Sequence, residues 1–314
     1  MYKKCYFYEK GKKMEFYFLG TGAGMPSKQR NVTSIALLHP KMTWLFDCGE
    51  ATQHQILHSP IKPRKVNAIF ITHLHGDHIF GLPGFISTRA ALEGTTPLTI
   101  YGPTGIKEWM DATLRITGTY LRYPLRIVEV EDGQTYDQDG FRVTARSLEH
   151  RFPAFGYRLE GPEERGALRV DALKALGVPS GPIYRRITLE ETFEFEGTVY
   201  PSSDFLESPK PGVKLAVLGD TMPCAASVEL ARDVDVLVHE ATFADREIEH
   251  AGRFGHSTAR QAAVIAETAQ AKKLLLTHVS ARYVDQEEVL EQEAREVFAN
   301  SHLMFDHRVV PVKG

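Results

Sequence analysis

Short apolar runs set apart by polar turns dominate the first half of the chain. EFYFLG (15–20), SIALL (34–38), TWLFD (43–47) and AIFIT (68–72) are rich in aromatic, branched and leucine side chains. Runs of that length and make-up read as buried strands. LTIYG, RIVEV, FRVTARSL, KLAVLGD, DVLVH and KLLLTH continue the series. Between them, Thr104–Ile116, Cys224–Arg232 and Ser257–Ala269 space their apolar residues for one helical face. Strands early, interleaved helices and a second similar set later predict a layered α/β body, with sheets inside and helices outside.

The pattern falls into two βα-rich portions, roughly 14–150 and 210–314. The stretch GPEERGALRVDALKALGVPSGPIYRRITLEE between them has a different texture, with Gly and Pro scattered through it and one short helix near Val170–Leu176. A long segment with so little period is either a plain surface excursion or a functional, mobile element. Residues 1–13 precede the first strand and read as a basic, aromatic extension, so the domain is placed at 14–314 and Met14 is an alternative start. The extension lacks the apolar stretch of a secretory signal. No apolar run approaches the roughly 20 residues of a membrane span, so no membrane is expected as a partner.

Composition narrows the picture a little. Of 314 residues, 43% are hydrophobic and 25% charged, as expected of an ordinary globular chain. Cys5, Cys48 and Cys224 are odd in number and form no CxxC pair, which fits a reducing cytoplasm better than a disulfide framework. A net charge of −3 argues against an indiscriminate nucleic-acid binder but leaves room for a local basic patch.

The chemistry concentrates after the strand IFIT. His73, His75, Asp77 and His78 follow within six residues in an HxHxDH array. Imidazole and carboxylate suit zinc and similar borderline ions. Gly76 lets the turn fold back so that the four side chains converge. One ion cannot take all four from so tight a loop, so the array predicts two adjacent ions, His73 and His75 serving one, Asp77 and His78 the other. His150, Asp220 and His278 each sit just past a predicted buried strand, where a rigid element can hold a ligand at a sheet edge. Alone, each would be a cap or turn residue; after HxHxDH they extend the set.

At this point the chain resembles the metallo-β-lactamase superfamily and, within it, the ribonuclease Z family of tRNA 3′-processing endonucleases. FLGTGAGMPSKQRNVTS, WLFDCGEATQHQIL, THLHGDH, LEHRFPAFGYRL, GVPSGPIY, LGDT, VLVHEATF, GHST and LTHVSARY carry the resemblance over about residues 14–314. It implies an αββα sandwich with a protruding exosite arm at about 160–186. It also implies a homodimer, precursor tRNA as substrate, and two zinc ions per subunit, with manganese or another divalent ion as substitutes. One ion would take His73, His75 and His150, the other Asp77, His78 and His278, with Asp220 bridging.

The expected activity is hydrolytic removal of the 3′ trailer, leaving a 3′-hydroxyl on the tRNA and a 5′-phosphate on the trailer. A small-molecule hydrolase of the same fold is the alternative. By the family role, Asp77 orients the nucleophile. His256 in GHST is the candidate acid, aimed by Glu240, with His239 as rival. Asp47 either accepts a hydrogen bond from a ligand histidine or is an ordinary turn residue. By resemblance, Lys28, Arg30 and Asn31 of the PSKQRN loop contact nucleotide, and Gly181 and Pro182 belong to the tRNA-gripping arm. Arg282 is placed to pair with a phosphate or to form a structural salt bridge. Arg165, Arg169, Arg185 and Arg186 give the arm its cationic character.

Overall fold

The computed structural model describes residues 14–163 and 165–312. The extension at 1–13, with Cys5, lies outside the described residues. Among those described, two seven-stranded sheets form the larger unit, Lys214–Gly314 completing the body begun before Leu159. The first sheet runs Val309–Pro311, Glu15–Gly20, Ser34–Leu38, Thr43–Phe46, Val66–Phe70, Leu98–Gly102 and Leu125–Glu129. The second runs Ser301–Leu303, Leu274–Thr277, Val236–Glu240, Lys214–Val217, Ala154–Glu160, Phe141–Leu148 and Thr135–Gln138. The strands that lead to His73, Asp220 and His278 each have a parallel neighbour, whereas Phe141–Leu148, which leads to His150, pairs antiparallel with Thr135–Gln138.

Strand alternation explains the layering. Tyr17, Leu19, Ala36, Leu38, Leu45, Ile69 and Ile100 face one way. There they join Phe85, Ile86, Ile106 and Met110 from helices Leu82–Ala91 and Ile106–Ile116. The intervening positions carry Trp44, Phe46 and Phe70 to the other face. Trp44 meets Phe141 of the second sheet at 5.3 Å between ring centres, and Phe70 meets Tyr157 at 5.2 Å. The outer face of the second sheet, through Leu237, Leu274 and Leu276, packs on Leu230, Ala263 and Leu290 from helices Ala225–Ala231, Ala259–Thr268 and Glu288–Arg295. The order of layers is therefore helix, sheet, sheet, helix, as expected. Each fully buried Leu or Phe in these seams contributes roughly 1.5–3 kcal/mol.

Several helices differ from the sequence reading. Ser257–Ala269 begins later, at Ala259, because Thr258 caps it by accepting from the Gln261 amide while the Gln261 side chain returns the bond. Helix Leu82–Ala91, which the sequence analysis did not place, carries a fully buried Arg89. That guanidinium donates to the carbonyls of Val66 (3.1 Å) and Thr96 (2.8 Å) and lies 4.0 Å over the Tyr123 ring.

Residues 160–213 form a second compact unit. It contains helices Val170–Ala175 and Pro182–Leu189 and a hairpin of Thr192–Phe195 with Thr198–Pro201. Leu173, Val178, Ile187 and Phe193 make its own small core. The second helix, opened by Pro182 at its first turn, and the hairpin were not read from the sequence. Near its two chain ends the Gly161 amide donates to the Val213 carbonyl at 2.8 Å. Among the described residues no helix is long and apolar enough to cross a membrane.

Candidate metal centre

All seven predicted ligands come together where strands of the two sheets end. Gly219 makes this approach possible: a Cβ there would lie 2.6 Å from the Thr72 Cβ, so only glycine lets the strand leading to Asp220 sit against the one leading to His73. Donor atoms of His73, His75 and His150 all lie within 4.8 Å of one another, as do those of Asp77, His78 and His278, and those of His73, His78 and Asp220. The Asp220 Oδ2 stands 3.7 Å from His73 Nε2, 3.6 Å from His78 Nε2 and 3.3 Å from His278 Nε2, which puts it between the two triads.

The cluster fits a pair of divalent cations on its own chemistry. His150 Nδ1 donates to the Gly255 carbonyl at 2.7 Å, so its Nε2 carries the lone pair, and that buried nitrogen has no hydrogen-bond partner. His78 Nδ1 donates to Asp47 at 2.7 Å, again freeing Nε2 for the cluster. Two carboxylate–threonine–histidine relays fix two more rings. Thr72 Oγ1 donates to Asp47 (2.8 Å) and accepts from His73 Nδ1 (3.1 Å). Thr242 Oγ1 donates to Glu240 (2.5 Å) and accepts from His278 Nδ1 (2.9 Å). Such partners fix the tautomer and aim of a ligating imidazole. Thr72 and Thr242 are functional residues that the sequence reading missed. The signal was present, since each lies within two residues of a residue already singled out.

The charge balance points the same way. Burial would push the His78 proton off, but Asp220, Asp47 and Asp77 outweigh it and hold that imidazole well above its ordinary value. Burial, helped by His78, drives His73 well below it. Burial opposes ionisation of Asp77 as well, yet His78 and His278 keep its carboxyl far below the usual carboxylate range. The Gly24 amide also donates to Asp77 Oδ2 at 2.8 Å. Asp47 and His278 hold left-handed backbone, φ 57° and φ 56°. Such conformations store strain, here at two positions that aim the cluster.

His256 stands beside the cluster with its side chain 16% exposed. Its Nδ1 meets Glu240 Oε1 at 3.0 Å. Burial lowers the imidazole, but the buried Glu240 carboxylate more than offsets this and its pKa rises to about 9. The rival His239 is fully buried, with Nδ1 against the Glu240 carbonyl at 2.8 Å, and does not line the cleft.

The curated ribonuclease Z of Exiguobacterium sibiricum is 77% identical over 301 residues, covering 96% of this chain and all of that protein. This chain belongs to the ribonuclease Z family. The ribonuclease Z of Bacillus thuringiensis is 51% identical over 95% of this chain and 99% of its own length. Among solved structures, the short form of human tRNase Z superposes with a TM-score of 0.69 at 29% identity, covering 96% of this chain and all of that one. The metallo-β-lactamase-fold protein YhfI of Bacillus subtilis gives the same TM-score at 18% identity, over 95% of this chain and 99% of its own, and speaks to the fold alone. The family model for the anti-Pycsar protein Apyc1 matches residues 14–150. The fold is the metallo-β-lactamase αββα sandwich, and its cluster is a binuclear divalent-metal site of the ribonuclease Z kind.

On the substrate side of this ribonuclease Z family member, the predicted residues separate. Lys28 is exposed on the PSKQRN loop. Arg30 is not available to a nucleotide: only 3% exposed, it donates to Thr21 Oγ1 (2.8 Å) and the Met304 carbonyl (2.7 Å), pairs with Glu287 and lies 4.5 Å over the Phe305 ring. It ties the loop to the C-terminal segment, which corrects the expectation of a nucleotide contact. Asn31 is held by Asp306 and by the Glu50 carbonyl. Arg282 lines the cleft but also pairs with Glu247 at 3.0 Å. In the second unit Gly181, Pro182, Arg165, Arg169, Arg185 and Arg186 are all exposed.

Proposed function

We propose that this chain is a zinc-dependent endoribonuclease that cuts the 3′ trailer from precursor tRNA. The convergence of seven nitrogen and oxygen donors in a chain of the ribonuclease Z family carries the reading. His73, His75 and His150 would hold one ion, Asp77, His78 and His278 the other, with Asp220 shared. The ions, when bound, make hydroxide available near neutral pH and stabilise charge on the phosphoryl oxygens.

The chain's own groups do the rest. Asp77, ionised and fixed by the Gly24 amide, orients the attacking water and accepts the proton that it loses. His256, protonated and aimed by Glu240, gives its proton to the departing ribose 3′ oxygen. Water thus adds to phosphorus as the 3′ oxygen leaves, giving a 3′-hydroxyl tRNA and a 5′-phosphate trailer. The arginines of residues 160–213 would meet backbone phosphates of the tRNA body, an interaction that weakens steeply with salt. The same reading takes the enzyme as a cytoplasmic homodimer. Free Cys48 and Cys224 fit a reducing compartment.

The test is end-mapping on a precursor with a short trailer, with and without chelator. Cleavage after the tRNA body, lost on chelation and restored by zinc, is expected. Full cleavage by metal-free protein would overturn the reading.

A further inference from the structure

One wall of the cleft, whose volume is about 340 Å³, continues past His256 into rings that neither bind metal nor transfer a proton. Helix Ile248–Phe254 and the chain after Glu240 build it. Its rings form a series: His256 to Phe243 at 5.9 Å, Phe243 to His250 at 5.1 Å, His250 to Phe254 at 4.6 Å. Phe243 is buried and backs the others, while Phe254 is 38% exposed. Two cations flank that open ring, Arg151 at 5.9 Å and Arg253 at 5.8 Å from its centre. A lone exposed phenylalanine needs no explanation. This one lines a cleft, continues a series of rings and is bracketed by guanidinium groups, the make-up of a surface that stacks bases and meets phosphates.

The wall is also held firmly. The residue after Phe254, Gly255, has φ +80° and gives its carbonyl to ligand His150. A Cβ there would stand 2.9 Å from His150 Nδ1, so the close approach requires glycine. Phe254 is thereby placed one residue from the donor cluster and two from His256.

We propose that His250 and Phe254 form a stacking platform for the unpaired base of the last nucleotide retained on the tRNA. The inference rests on the endoribonuclease reading, because direction along the RNA comes from His256. The oxygen protonated by His256 belongs to the ribose of that last nucleotide. The wall that carries His256 through Phe243 to His250 and Phe254 is therefore the wall beside its base. Aromatic faces stack any base, so the platform requires a base and tolerates its identity.

The experiment compares precursors that differ only at that nucleotide: a normal base or an abasic ribose. Wild-type enzyme should lose about tenfold or more in kcat/KM on the abasic precursor, mostly through KM. Phe254→Ala, checked for wild-type metal content and melting temperature, should lose a similar factor on the base-bearing precursor and little more on the abasic one. Phe254→Trp should restore it. Equal cleavage of both precursors by wild-type enzyme overturns the platform, whatever the variants do. A loss in Phe254→Ala that is the same on both precursors overturns it too. Wild-type enzyme that leaves every precursor uncut removes the endoribonuclease reading, and the platform with it.

Discussion

Glu240 serves two histidines at once. One oxygen pairs with His256, while the other reaches His278 through the Thr242 hydroxyl. Thr242→Val keeps the shape and removes the hydroxyl, leaving His278 without its partner. Metal affinity should fall about 10- to 100-fold, read by competition against a chromogenic chelator; unchanged affinity would show that the relay does not aim the ligand. The His256 proton gives a pH signature. With the pKa raised to about 9, the acid is in place below that pH and is lost as pH rises through it. The alkaline limb of kcat/KM should thus lie near pH 9 in the wild type and move down in Glu240→Gln. His256→Ala should slow cleavage about 10²- to 10⁴-fold. The loss should be much smaller on a substrate with a 3′-sulfur leaving group, which needs no proton, and an equal loss there would remove the acid assignment. The ligands were legible in the sequence because each follows an apolar strand or belongs to the compact HxHxDH array. The two threonines were marked only by their closeness to His73 and Glu240, a weak signal because a threonine beside a strand end usually does nothing. Arg30 was misplaced for a similar reason. Charge alone puts an arginine in water, and only the assembled fold supplies Glu287, Phe305 and the Met304 carbonyl to bury it.

Elements matter here chiefly through how closely they approach. The segments that leave strands Val66–Phe70 and Lys214–Val217 for Thr72 and Asp220 touch at Gly219, and Gly219→Ala would force them apart. Overpacking of this kind typically costs about 1–3 kcal/mol, so the melting temperature should fall measurably and metal content with it. A variant with wild-type stability and two bound ions would show that the approach is not tight. Most strands were legible, since five- or six-residue apolar runs between turn residues leave few alternatives. Helix Leu82–Ala91 was harder. It contains Pro and Gly, and the residues it buries include an arginine, so no polar face marks it out. Pro182–Leu189 begins inside a Gly-Pro stretch that resembles a loop, and only packing of Ile187 against Leu173 and Phe193 declares it a helix.

At the scale of the whole molecule, the donor cluster and the proposed tRNA contacts lie in different stretches of chain. The donors, His256 and Glu240 all lie within 1–159 and 214–314, and the arginines proposed to meet tRNA phosphates within 160–213. Replacing 162–212 with a short Gly-Ser linker should raise KM for precursor tRNA at least tenfold and flatten its salt dependence, since fewer phosphates are then neutralised. Hydrolysis of a small chromogenic phosphodiester should survive, and an equal loss of both activities would contradict the division. The overall layering could be read in advance from strand alternation, but sheet order could not, because it depends on contacts between runs far apart in sequence.

The hydrogen bond from Gly161 to Val213 marks where the chain leaves for its excursion and where it returns. An inserted piece that starts and finishes at neighbouring residues can be exchanged as a cassette. The tRNA contacts proposed for this piece could therefore be altered by swapping it, with every metal donor left in place.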